Sequence, residues 1–132
     1  MTAAPRPHDE PERLQVLQSL GALDRTADPA LQGLVRSAAA LLDCPIALVS
    51  LVDAERQWFH ARAGLSAQQT PREVSFCAHA IRQARPLTVP DATADPRFAD
   101  NPLVTGELQL RAYAGVPLVV DGQPIGTLCV ID

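Results

Sequence analysis

Residues 45–52, Pro-Ile-Ala-Leu-Val-Ser-Leu-Val, are apolar on both faces that a strand presents. Such a strand has no side to offer water and needs cover above and below. It predicts a central strand in a sheet packed on both faces. The order of the other elements limits how that sheet is built. Leu14, Leu17 and Leu20 recur at helical spacing from Glu12, and Gly21 stops the run. Asp28-Pro29 is a helix start, with Asp28 as cap and Pro29 in the first turn. Leu31, Leu34, Val35, Ala38, Leu41 and Leu42 then form one apolar stripe, which ends before Pro45.

Beyond the central strand, 56–63 mixes Trp58 and Phe59 with Arg56, Gln57, His60 and Arg62, the pattern of a strand nearer the edge. Residues 64–74 read as a loop. Residues 75–84 have helical spacing, with two competing starts: Ser75 as N-cap, or a capping box from Thr70 to Glu73. Residues 86–89 form a short strand. The stretch 91–110 has room for one short helix capped by Asp95. Strands at 112–120 and 124–131 flank Asp121-Gly122, a hairpin signal because both residue types tolerate positive φ. Helices followed by hairpin-linked strands imply an α+β fold with an antiparallel sheet.

A chain of 132 residues makes one domain. Residues 1–11, polar and with three prolines, read as a flexible tail, and 12–132 as the domain. The net charge is −4 and no lysine is present, which argues against a nucleic-acid partner. No apolar run reaches the roughly 18 residues of a membrane span, and the N-terminus lacks the apolar segment of a signal peptide. Three cysteines, Cys44, Cys77 and Cys129, lie in apolar settings and imply reduced thiols in the cytoplasm.

Catalytic patterns are missing. The seven glycines are scattered, no serine sits in a nucleophile elbow, and His8, His60 and His79 are too dispersed for a zinc set. The informative feature is the stretch 91–110, since connections beyond about 12–15 residues in a compact domain are usually functional or disordered, and the alternative to a ligand site is a lid with nothing under it. Phe98, Leu103 and Val104 argue that it docks on the domain and closes a cleft between the sheet and the helix carrying Cys77. Candidate ligand-binding residues are Cys77, His79, Asp91, Phe98, Arg111 and Tyr113. Each has a second reading. Cys77 is a reactive thiolate or an inert buried thiol. Asp91 and Arg111 pair with each other or hold a polar ligand. Tyr113 is a core residue with a bound hydroxyl or a ligand contact. His79 lies two residues past Cys77 and points away from it.

Ser75-Phe76-Cys77-Ala78-His79-Ala80-Ile81, Val89-Pro90-Asp91-Ala92, Asp95-Pro96-Arg97-Phe98-Ala99-Asp100-Asn101-Pro102-Leu103-Val104, Arg111-Ala112-Tyr113-Ala114-Gly115-Val116-Pro117-Leu118 and Gly126-Thr127-Leu128-Cys129-Val130-Ile131-Asp132 occur in one chain in that order. The set resembles a GAF domain of bacterial signalling proteins. The resemblance implies a PAS-like sheet of five or six antiparallel strands with helices on both faces. It also implies a sensory or regulatory module rather than an enzyme, joined to an output domain such as a histidine kinase or diguanylate cyclase. The helix that usually closes such a domain is missing after Asp132. Bilin attachment in the family resembles a Cys directly followed by His, whereas here Ala78 separates Cys77 from His79. The cyclic-nucleotide constellation needs a lysine, and the cysteine arrangement of the methionine sulfoxide reductases is not recognisable. Ala112 stands where relatives carry an aromatic residue. No cofactor is assigned. The expected partners are a small-molecule ligand, the output domain and a second copy, the homodimer forming through 12–20 and 28–42. Two alternatives stand beside ligand sensing: a dimerisation module without ligand, and a thiol-based redox sensor using Cys77.

Overall fold

The computed structural model describes residues 2–132. Strand β1 (Ile46–Val52) is buried along its whole length. It lies between β2 (Arg56–Ala63) and β6 (Gln123–Ile131) in a six-stranded sheet that also holds β3 (Gln69–Pro71), β4 (Leu87–Val89) and β5 (Tyr113–Val120). The order is β3-β2-β1-β6-β5-β4 and every neighbour is antiparallel. Asp121 and Gly122 take φ of 49° and 75° and turn the chain from β5 into β6. That is the conformation a two-residue hairpin loop requires.

Because side chains alternate along a strand, β1 feeds two separate cores. Ala47, Val49 and Leu51 pack with Leu17 and Val35 of helices α1 (Glu10–Ser19) and α2 (Pro29–Leu41). Ile46, Leu48 and Val52 pack with Phe76, Phe98, Val104 and Leu110 on the opposite face. A bulge in β2 leaves His60 without a partner, since Val49 faces Ala61 while Ser50 faces Phe59. The bulge puts Trp58 and Ala61 in the helical core and Phe59 in the other.

Four local expectations are corrected. Helix α1 begins at Glu10, inside the segment read as a tail. Glu10 is held by two arginines: Arg13 donates to both carboxylate oxygens at 2.7 and 3.1 Å, and Arg72 does so at 2.6 and 3.2 Å. Arg13 is fully buried, and Arg72 also donates to the Asp53 carbonyl. Second, much of the apolar face of α1 is covered by this chain's own sheet: Leu17 is fully buried and Leu14 packs beside it, while Leu20, just past the helix, is 42% exposed. Third, helix α3 (Phe76–Ala80) starts at Ser75, whose hydroxyl accepts from the Ala78 amide. Thr70 lies in β3, followed by a single 3-10 turn at Arg72–Val74. The helix stops after five residues, short of 84, and the chain continues through turns to Arg85. The Gln83 amide then donates to the carbonyls of Arg85 and Pro86. Fourth, the short helix in 91–110 is α4 (Pro102–Thr105), capped by Asn101 and not by Asp95. Asn101 also donates to the Val74 carbonyl, an anchor that Asp95 lacks.

Candidate functional site

A cavity of about 190 Å³ lies between the sheet, α3 and the segment 91–110. Leu48 and Phe59 line it from the sheet, Phe76 and Cys77 from α3, and Leu103, Leu108 and Leu110 from the long segment. Its polar lining residues are Gln57, Thr70, Cys77 and Tyr113, and among the described residues no arginine, aspartate or glutamate borders it.

The six candidate residues separate into three groups. Cys77 and Tyr113 line the cavity. Phe98 lies behind the wall, fully buried, its ring stacked on Phe76 at 3.9 Å; His79 meets Phe98 edge-on at 4.8 Å. His79 is half-buried, and burial lowers its pKa. Asp91 and Arg111 are exposed and do not converge on the cavity. The Asp91 carboxylate accepts from the amide and hydroxyl of Thr93, an Asx turn that also lowers its pKa. The Arg111 guanidinium donates to the carbonyls of Val104 and Leu110 and so fastens the end of the long segment. Both residues follow the local backbone outward, because Ala92 and Leu110 take the buried positions beside them. Ala112, where relatives carry an aromatic, does not border this cavity.

Behind the cavity wall runs a buried polar network. Gln57 accepts from Ser50 at 3.1 Å and from Ser75 at 2.8 Å, and its amide donates to Thr70. Cys77 Sγ accepts from the Thr127 hydroxyl at 3.0 Å and from Tyr113 at 3.2 Å, and Cys129 Sγ lies 4.0 Å away. All three residues around this thiol are buried with it. Cys129, Thr127 and Tyr113 direct hydrogen bonds at Cys77, favour its thiolate over the opposing effect of burial, and lower its pKa. The interaction with Cys77, together with burial, pushes Cys129 up; burial above all pushes Tyr113 up. Tyr113 lies across its own strand because Gly115 is two residues on: a Cβ there would sit 2.2 Å from the Tyr113 oxygen. Ser50, Gln57, Ser75, Thr70, Thr127 and Cys129 are absent from the sequence-based candidates. The available signal was Ser50, a hydroxyl inside an otherwise apolar strand, which must find a buried partner.

A sheet in this order, with helices on one face and a cavity under a long connection on the other, matches known structures. The GAF domain family model matches residues 26–132, so the chain belongs to the GAF domain family. A cyclic di-GMP phosphodiesterase, PA2567, of Pseudomonas aeruginosa strain PAO1 is 47% identical over 133 residues. That match takes in 100% of this chain but only 23% of the relative's length. The GAF domain of a phosphoenolpyruvate-protein phosphotransferase from Coxiella burnetii superposes with a TM-score of 0.64 at 16% identity, covering 92% of this chain and 76% of that one. A free methionine-R-sulfoxide reductase from Thermoplasma acidophilum gives 0.63 at 12% identity, covering 88% and 77%. These two show the shared fold. Among the described residues, no helix is long and apolar enough to cross a membrane.

Proposed function

We propose that this chain is the sensory module of a larger bacterial signalling protein, in which a small, uncharged, largely apolar molecule occupies the cavity beside Cys77. The observation that carries this reading is the lining: about 190 Å³ of space bordered by leucine and aromatic side chains, with no arginine, aspartate or glutamate among the described residues that border it. An apolar cavity of about 150 Å³ stays dry and takes up benzene. The cavity here therefore suits a ring of that size bearing one polar atom, for which Gln57, Thr70 and Tyr113 supply donors and acceptors. A nucleotide, an amino acid or an inorganic anion would lose its hydration without gaining a counter-charge. The 47% identity to a cyclic di-GMP phosphodiesterase supports an output of that class, in place of the kinase or cyclase implied by resemblance alone. On this reading cyclic di-GMP belongs to the output domain, since a dianion of its size fits neither the volume nor the lining of the cavity.

The test is a thermal-shift panel of indole, phenol and benzaldehyde against nucleotides, amino acids and nitrate, followed by native mass spectrometry of any stabilising compound. Stabilisation grows as the logarithm of concentration over Kd, so a neutral ligand raises Tm progressively while the charged compounds do not. Filling the cavity with Leu110→Trp should remove that rise. A shift from the charged compounds alone refutes the ligand class. Absence of any shift, with bare protein in native spectra, refutes the sensing role for this cavity.

A second reading, pairing of two copies, is supported by α2 and the residue after it. Leu34, Leu41 and Leu42 are 52%, 84% and 61% exposed, and the first two are seven apart on one helix face. Sedimentation equilibrium of wild type and Leu34→Glu/Leu41→Glu separates the readings: pairing requires a dimer in the first and a monomer in the second.

A further inference from the structure

We infer that Cys77 and Cys129 form a reversible dithiol–disulfide site, oxidised by a small hydroperoxide that reaches Cys77 through the cavity. This goes beyond ligand sensing and stands or falls separately from it. Three observations carry it. The two sulfur atoms face each other at 4.0 Å, about 2 Å beyond a bonded pair. Two hydroxyls, from Thr127 and Tyr113, are aimed at the Cys77 sulfur, the arrangement that holds a thiolate. Cys77 borders the cavity and Cys129 does not, so a peroxide in the cavity meets only one of the two sulfurs. Hydrogen peroxide is uncharged and smaller than the space available. The half-buried residues Leu65, Ala67, Leu103 and Leu108 line the cavity on its outer side.

The chemistry follows from that asymmetry. The Cys77 thiolate attacks one peroxide oxygen; the O–O bond breaks, and the departing hydroxide takes up a proton as water. Cys77 is left as a sulfenic acid. Cys129, losing its proton, attacks the Cys77 sulfur; the S–S bond forms, the S–O bond breaks, and the second hydroxide leaves as water. Two thiols and one peroxide give one disulfide and two waters, with two electrons passing from sulfur to oxygen. A low-molecular-weight dithiol reverses the reaction by exchange. Cys129 is fixed on β6, in register with Leu48 on one side and Gly115 on the other, both in strands. Closure of the remaining gap therefore moves α3, five residues long, and with it the Phe76 wall of the cavity.

The protein is exposed to hydrogen peroxide, quenched, denatured and alkylated, and intact mass and peptides are read by mass spectrometry. The expected product has lost two hydrogens, carries a single alkyl group at Cys44, and yields a Cys77–Cys129 crosslinked peptide; dithiothreitol restores three alkylation sites. In Cys129→Ser, dimedone should label Cys77 instead. Tyr113→Phe removes a donor from the thiolate and should slow oxidation up to about tenfold at about pH 5, below the Cys77 pKa of about 6, as a pKa rise of about one unit would. Cys77 and Cys129 both still alkylatable after peroxide treatment strong enough to oxidise Cys44 would overturn the inference. So would a disulfide made by Cys44, or an unchanged rate in Tyr113→Phe together with no dimedone adduct in Cys129→Ser.

Discussion

Glu10→Gln exchanges one oxygen at the point where two arginines meet. In the wild type one carboxylate serves two guanidiniums through four contacts of 2.6–3.2 Å, in a setting where Arg13 is fully buried. Burial raises the Glu10 pKa, but hydrogen bonds from Arg13 and Arg72 and the two positive charges outweigh it and hold the group at about 2, against an ordinary 4.5. At about 1.4 kcal/mol per pKa unit that difference is worth roughly 3 kcal/mol. Glutamine keeps the shape but turns an N–H₂ toward donors and leaves two cations without an anion. Breaking a buried ion pair from one side costs about 3–5 kcal/mol, so we expect a loss of at least about 3 kcal/mol at pH 7. Urea unfolding followed by the single buried Trp58 measures it. The sign with pH is fixed. A depressed pKa contributes its full stability above 4.5 and loses it as pH falls through about 2, so the gap between wild type and Glu10→Gln should close between those values. Arg13→Met leaves Glu10 paired with Arg72 and should cost less than Glu10→Gln. A variant Glu10→Gln within 1 kcal/mol of wild type at pH 7, or a gap independent of pH, would refute this account of what holds α1 to the sheet.

The other predictions are smaller. Gly115→Ala puts a methyl where the Tyr113 oxygen lies and should cost about 1–3 kcal/mol in urea unfolding; an unchanged midpoint would mean that Tyr113 has another place to go. Asp28→Ala removes the side-chain cap on the Leu31 amide at the start of α2 and should cost about 1 kcal/mol by the same assay. Arg111→Ala removes two part-buried hydrogen bonds to carbonyls, should cost about 1–2 kcal/mol, and should leave ligand-induced Tm shifts intact; loss of those shifts would bring Arg111 back into the site.

What could be read from the sequence was what local pattern determines. The two-sided apolar run at 46–52, the Asp121-Gly122 turn and the Asp28-Pro29 start each act within a few residues, and each is where the spacing puts it. Long-range choices were not legible. Asp95-Pro96 and Asn101-Pro102 are equivalent as helix starts; the carbonyl of Val74, 27 residues away in sequence, decides between them. Glu10 reads as part of a polar tail because its partner Arg72 is 62 residues away. β3 is three residues with no run of alternation to betray it. The cavity lies where 91–110 crosses α3, but Asp91 and Arg111 do not border it; the polar groups that line it are two hydroxyls, an amide and one thiol drawn from four separate elements. Arginine and aspartate draw the eye in a sequence, whereas Ser50 and Thr127 look like ordinary strand residues until burial makes their partners obligatory.

The division of β1 between two cores bears on how such a domain conveys news of its contents. Leu48 borders the cavity while Val49 and Ala47, its immediate neighbours, touch the layer holding α1 and α2. The sender and receiver are thus one peptide unit apart, closer than any chain of side chains could bring them. Yet no side chain of β1 has a foot in both compartments, and the backbone between them is clamped by hydrogen bonds to β2 and β6. A message of small rotamer changes would die at that partition. On the proposed sensing role, what can cross is a shift of the strand itself, in the manner of a drumskin that moves both of the air columns it separates.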